Sequence, residues 1–203
     1  MKLNDLPCID KSQKISFDLR DYVKIYDDVI DKAMCKQLIE SIESQSWHTH
    51  GFYNSSTGEI IHHQDELSVC HASGKIKDEL QSKLWFVIER YILKDHAFMD
   101  QWFSGWSGYT AIRFNKYSEN TQMHLHCDHI QSMFDGQRKG IPTLSIVGLL
   151  NDDYEGGEFV MWDDVEMPLK QGSIMIFPSN FLYPHRVKPV FKGTRYSYVS
   201  WVW

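Results

Sequence analysis

Apolar residues recur every four positions in the stretch "DKAMCKQLIESIES", where Ile30 (just ahead of it), Met34, Leu38 and Ile42 fall on one face. That spacing predicts an amphipathic helix with Asp31 as its N-cap. A second helix is predicted over "KIKDELQSKLWFVIERYI", with Ile76, Leu80, Leu84, Ile88 and Tyr91 sharing a face. Between the two, residues 46–74 are polar and carry Gly, Ser and His; they read as a long irregular stretch of the kind that forms binding loops or lids. After about residue 105 the texture becomes β-branched and aromatic. "YTAIRFNKY", "TLSIVGLL", "GEFVMW", "GSIMIFP" and "TRYSYVSWVW" read as short strands, separated by "NDDYEGG", "KQG" and "FKG" turns. The pattern predicts an α+β, mainly β chain with a jelly-roll (double-stranded β-helix, cupin-like) core. A single domain is expected over 1–203, with 1–104 as helical support and substrate loops and 105–203 as the jelly roll.

Composition narrows the class of function. The 203 residues, 42% hydrophobic and 14% aromatic, suit one well-cored domain and not a disordered chain. A formal charge of −6 argues against nucleic acid as a partner. "MKLNDLPCID" lacks the apolar run of a signal peptide, and no run reaches membrane-span length, so no membrane association is expected. Cys8, Cys35, Cys70 and Cys127 are scattered without CxxC spacing, which disfavours a zinc ribbon or disulfide framework and suggests a reduced, cytoplasmic setting. Nothing in the pattern bears on oligomeric state.

Residues 123–130, "MHLHCDHI", offer more ligands than one metal needs. On an extended strand His124, His126 and Asp128 share one face and Leu125, Cys127 and His129 the other. Either His124/His126 or His126/Asp128 makes a two-ligand clip. A facial-triad iron site takes two histidines and one carboxylate and leaves three positions open. His185 in "YPHRVKPV", just before a strand, is the best third ligand. Ten residues on, Arg195 alternates with Ser197, and a guanidinium beside a hydroxyl suits the far carboxylate of a dicarboxylic acid.

This ordered set resembles the Fe(II)/2-oxoglutarate-dependent oxygenases, in particular their prolyl 4-hydroxylase-like (PKHD-type) branch. "NKY", nine residues ahead of His126, resembles that branch's N-[RK]-Y strand and puts Tyr117 at its tyrosine position. "LLNDDYEGGEF" resembles its GGE hairpin, and "KQGSIMIFPSNFLYPHRVKPVFKGTRYSYVSW" its closing block. The resemblance covers about residues 105–203, and its register selects His126, Asp128 and His185 as the ligands. It departs at Asn120, where a glycine is usual, and at Leu149, where many relatives carry a tyrosine.

The resemblance implies iron(II) on His126, Asp128 and His185. It places 2-oxoglutarate on Arg195 with Tyr117 and Ser197, O2 as co-reactant, and ascorbate as an accessory reductant. Trp201, Tyr117 and Arg113 are expected pocket walls, Trp201 resembling an aromatic of the oxygen-sensing prolyl hydroxylases; Arg113 by itself reads as a solvated charge. The presence of Asp128 favours hydroxylation over halogenation, and Trp201 stands where nucleic-acid demethylases carry a second Arg. The implied reaction is hydroxylation of a C–H bond, of a prolyl residue in a peptide or of a free amino acid or small metabolite, with release of succinate and CO2. Two other classes stay open: a three-histidine dioxygenase using His124, His126 and His185, and a non-catalytic binding module.

Overall fold

Alternation of side chains across one large sheet organises the molecule. The computed structural model describes residues 16, 18–54, 57–71, 74–96, 108–128 and 141–203. Its elements are β1 (Lys24–Tyr26), α1 (Lys32–Glu43), β2 (His48–Thr49), β3 (Phe52–Asn54), β4 (Glu59–Ile61), β5 (Ser68–Cys70), α2 (Lys75–Arg90), β6 (Arg113–Tyr117), β7 (Met123–His126), β8 (Leu144–Leu149), β9 (Glu155–Gly156), β10 (Phe159–Met161), β11 (Val165–Glu166), β12 (Ile174–Pro178), β13 (His185–Val187), β14 (Val190–Lys192) and β15 (Arg195–Val202). Seven antiparallel strands form a major sheet in the order β1-β12-β8-β15-β6-β5-β2, and four form a minor sheet in the order β11-β10-β13-β7. The pairs β9–β14 and β3–β4 are small two-stranded sheets. This is the jelly roll expected.

Each central strand of the major sheet feeds two cores. Phe114, Ile146, Ile174, Ile176, Tyr198 and Val202 turn to one face, where they meet Leu38 and Ile42 of α1 and Leu80, Leu84 and Ile88 of α2. Their neighbours Tyr117, Val147, Met175, Phe177 and Val199 turn to the other, against Met123, Phe159, Met161 and Val187 of the minor sheet. A period of two on strands between two apolar layers produces this division. Gly148 sits where β8 passes β15 on the helix side, and a Cβ there would collide with the Tyr198 ring.

Both helices lie where the spacing puts them. Asp31 caps α1, its carboxylate accepting the Met34 N–H at 2.7 Å. The helix pattern of α2 runs on through a π-helical turn, Tyr91–Asp95, which buries Tyr91. The expectation of an irregular 46–74 is corrected: β2 and β5 extend the major sheet beyond β6, and β3 pairs with β4. The first half of the chain thus adds strands to the sheet as well as helices behind it.

Candidate active site

The cross-strand pair His126–His185, directly opposite each other on β7 and β13, forms the centre. Their rings lie 4.4 Å apart. Asp128, just past the end of β7, brings Oδ1 to 3.5 Å from His126 Nε2 and 3.7 Å from His185 Nε2. The three ligand atoms lie within 4.8 Å of one another, a spacing that one ion with bonds of about 2 Å can bridge. Each histidine is oriented from behind. His126 Nδ1 donates to the His124 carbonyl at 2.7 Å and His185 Nδ1 to the Tyr183 carbonyl at 3.0 Å. With the proton held on Nδ1, each Nε2 keeps its lone pair for the centre.

Asp128 is held from the sheet: the Ser145 hydroxyl donates to its Oδ2 and touches the Ser179 hydroxyl. Burial opposes its charge, but His185, His126 and Ser145 outweigh that and keep the carboxyl well below the usual carboxylate range. Burial pushes His185 down to about 4. An ionised Asp128 carboxylate beside a neutral His185 imidazole is the protonation state that a metal ion takes. Phe159 stacks on His185 at 5.2 Å and Phe177 meets it edge-on at 5.1 Å, which keeps that wall dry.

Rows across β15 and β6 order the rest of the cavity. Arg195 stands opposite Tyr117, Ser197 opposite Asn115, and Val199 opposite Arg113. On the other side of β15, Trp201 pairs with Ser145 of β8. Arg195 is 1% exposed; its Nη1 donates to Ser197 Oγ at 3.0 Å, its guanidinium lies 5.0 Å from the Tyr117 ring centre, and its Nε has no partner. Among the described residues no carboxylate pairs with it. A buried, unpaired guanidinium is costly, so the cavity is built for an anion at this end. Gly157, at φ +67°, admits the arm: a Cβ there would meet Arg195 Cδ at 3.0 Å.

One cavity is lined by Arg113, Tyr117, His126, Asp128, His185, Arg195, Ser197 and Trp201, the full set of site residues expected from the sequence. Arg113 corrects one reading: it is no solvated charge but half-buried in this cavity. His124 stays outside the cluster, with Nε2 3.3 Å from Asp65. His129 and residues 101–107 of "QWFSGWSGYT" lie outside the described residues. Asn120, in place of the usual glycine, takes φ 63°, and Leu149 is buried opposite Ser197.

Three residues near the centre escaped sequence reasoning. Ser145 had a faint signal, a hydroxyl interrupting the apolar run "TLSIVGLL". Glu66 and His50 sit in the polar stretch read as a binding loop or lid, where solvated side chains are the default, yet both are buried, with Glu66 Oε2 3.4 Å from His50 Nδ1. Phe52 of β3 reaches His126, ring centres 6.1 Å apart, so the β3–β4 hairpin stands over the centre. In the polar residues 62–66, His62 contacts the His50 carbonyl and Asp65 contacts Gln122 and His124.

Residues 112–203 match the 2OG-Fe(II) oxygenase superfamily. The resemblance to PKHD-type and prolyl 4-hydroxylase-like members of that superfamily holds in the relatives as well. A PKHD-type hydroxylase of Idiomarina loihiensis is 37% identical over 95 residues, covering 45% of this chain and 41% of that protein. One from Crocosphaera subtropica is 34% identical over 97 residues, 45% of this chain and 42% of its own. The matched region thus spans about two fifths of those relatives' length. Two solved oxygenase structures share the fold. A prolyl hydroxylase from Trichoplax adhaerens, in complex with a hypoxia inducible factor oxygen degradation domain peptide fragment, aligns with TM-score 0.69 at 14% identity, over 90% of this chain and 84% of that one. A Pseudomonas putida prolyl-4-hydroxylase aligns with TM-score 0.62 at 16% identity, over 89% and 91%. At those identities the likeness concerns the fold alone. No described helix is long and apolar enough to cross a membrane.

Proposed function

We propose that the chain is an Fe(II)- and 2-oxoglutarate-dependent dioxygenase that hydroxylates a C–H bond, with a prolyl unit as the leading substrate. The observation that carries this is the meeting, in one cavity, of the His126–Asp128–His185 cluster with the buried guanidinium of Arg195, which pairs with no carboxylate among the described residues. The donor set fits iron(II): two neutral imidazoles and one carboxylate are the facial triad of non-haem iron oxygenases. Arg195 and the Ser197 hydroxyl fit the distal carboxylate of 2-oxoglutarate, and Tyr117 walls that end. Iron(II), 2-oxoglutarate and O2 together supply the oxidising power, the acid leaving as succinate and CO2 while the substrate C–H becomes C–OH.

The protein's own contribution is positional. Ser145, together with the His124 and Tyr183 carbonyls, fixes the three ligands. Phe159, Phe177, Val147 and Val187 exclude water around them. Trp201, at the level of Ser145, lines the cavity as a wall against which a substrate ring would pack. The prolyl assignment draws its support from the prolyl hydroxylases that share the fold and from the PKHD-type relatives. Placing Asp128 in the cluster and His124 outside it favours this account over a three-histidine dioxygenase. The test is turnover: purified protein with Fe(II), 2-oxoglutarate and air forms succinate, faster when a prolyl peptide or amino-acid pool contains the substrate, and one member gains 16 mass units (about one oxygen atom). Asp128→Ala abolishes both signals. Succinate formation that survives Asp128→Ala contradicts the proposal.

A further inference from the structure

Arg195 has a dicarboxylate to answer it under the proposed function, and the same cavity holds a second guanidinium that pairs with no carboxylate among the described residues. Arg113 lines the cavity from β6. Its Nε donates to Asn115 Oδ1 at 3.2 Å and its guanidinium lies 5.0 Å from the Trp201 ring centre. Among the described residues it forms no ion pair. Burial works against its charge, while Asp128 and Glu66 favour that charge only through space. The Glu66 carboxylate turns to His50 and to the His124 N–H. An arginine keeps its charge in such a place, so this part of the cavity suits an anion as well.

The strand register says which anion it is not. Arg113 is level with Val199, four residues along β15 from Arg195, a separation of about 13 Å at 3.3 Å per residue. It stands next to Trp201, whose cross-strand partner Ser145 holds Asp128. Arg113 therefore flanks the metal-ligand level and not the Arg195 end. 2-Oxoglutarate has two carboxylates, one for Arg195 and one for the metal, which leaves none for Arg113.

We infer that Arg113, stacked on Trp201, is a specificity-determining residue that binds a carboxylate of the substrate beside the carbon to be hydroxylated. This rests on the proposed function and deepens it: the substrate is an anion, an amino-acid unit with a free carboxylate. A planar fork held against an indole presents its remaining N–H groups in one plane, the geometry a carboxylate accepts in pairs. The carboxylate is supplied either by a free amino acid or by the free C-terminus of a peptide. An internal peptide unit with both ends blocked offers no such group.

The experiment uses Fe(II)- and 2-oxoglutarate-loaded protein. Its visible charge-transfer band is recorded without oxygen, and its succinate formation in air. Probes come as acid and amide pairs: the common L-amino acids against their amides, and prolyl peptides ending in free proline against the same peptides ending in prolinamide. The expected result is that at least one acid perturbs the band and speeds succinate formation while its amide does not. In Arg113→Gln that response weakens about tenfold to a hundredfold, the range for losing a charge-assisted contact. Arg113→Lys restores part of it, and both variants keep the band and the wild-type affinity for 2-oxoglutarate. Whether the responding acid is an amino acid or a peptide end tells the two sources apart. Equal responses to acid and amide, or no response to any acid, overturn the inference while the band still stands. A fall in 2-oxoglutarate affinity in both Arg113 variants also overturns it, since Arg113 then serves the co-substrate. No band in wild type removes the proposed function itself.

Discussion

Asp128 is the residue on which the site depends. It brings a negative charge into a nearly dry wall, where its carboxyl is held below the usual carboxylate range and the Ser145 hydroxyl donates to it. Such outer partners orient ligands, and losing one typically costs ten- to a hundredfold in metal affinity. Ser145→Ala is therefore expected to weaken Fe(II) binding by about that factor in an anaerobic titration, with the fold intact because a strand alanine fits the same space; unchanged affinity would remove Ser145 from the account. The residues that cluster in the cavity were legible in the sequence because few side chains combine in this way: two imidazoles, a carboxylate two residues from one of them, and an arginine alternating with a hydroxyl. Glu66 and His50 were not legible. Polar residues in a polar stretch are ordinarily exposed, and only the pairing of β2 with β5 and of β5 with β6 folds that stretch inward.

The elements were legible to the degree that they are long. Helices α1 and α2, of 12 and 16 residues, repeat their apolar spacing often enough to be recognised, and β8 and β15, of 6 and 8 residues, show a sustained run or alternation. Strands β2, β3, β4 and β5 have two or three residues each, too few for a period of two to stand out from a loop. Register is set on the long strands: β15 pairs with β8 and β6 at once, and its odd positions carry Arg195, Ser197, Val199 and Trp201 into the cavity. A one-residue slip would turn all four away. Gly148 guards that pairing from the helix side, since a methyl there meets Cζ, Oη and Cε1 of Tyr198. Gly148→Ala is expected to destabilise the protein by about 1–3 kcal/mol through overpacking, measured by denaturant unfolding. The loss should shrink in a Tyr198→Leu background, which lacks those three atoms; equal losses in both backgrounds would refute the clash.

At the scale of the molecule, the jelly roll separates two tasks. The helix-backed face of the major sheet supplies an apolar core, while its other face and the minor sheet enclose a cavity lined by His126, Asp128, His185 and the buried Arg195. The strand-rich second half announced that arrangement through its texture, whereas the strands that the first half adds to the sheet edge appear only once β6 is in place to receive them. The central claim is that His126, Asp128 and His185 hold iron(II) and Arg195 anchors 2-oxoglutarate beside it. The most direct test is to add Fe(II) and then 2-oxoglutarate to metal-free protein without oxygen and to record the visible charge-transfer band of the chelate, for wild type, Asp128→Ala and Arg195→Ala. The account predicts a band in wild type, none in Asp128→Ala, and in Arg195→Ala a band that needs far more 2-oxoglutarate to form. Wild-type protein that binds one Fe(II) per chain and yet shows no band, or an Arg195→Ala variant with unchanged 2-oxoglutarate affinity, would contradict it.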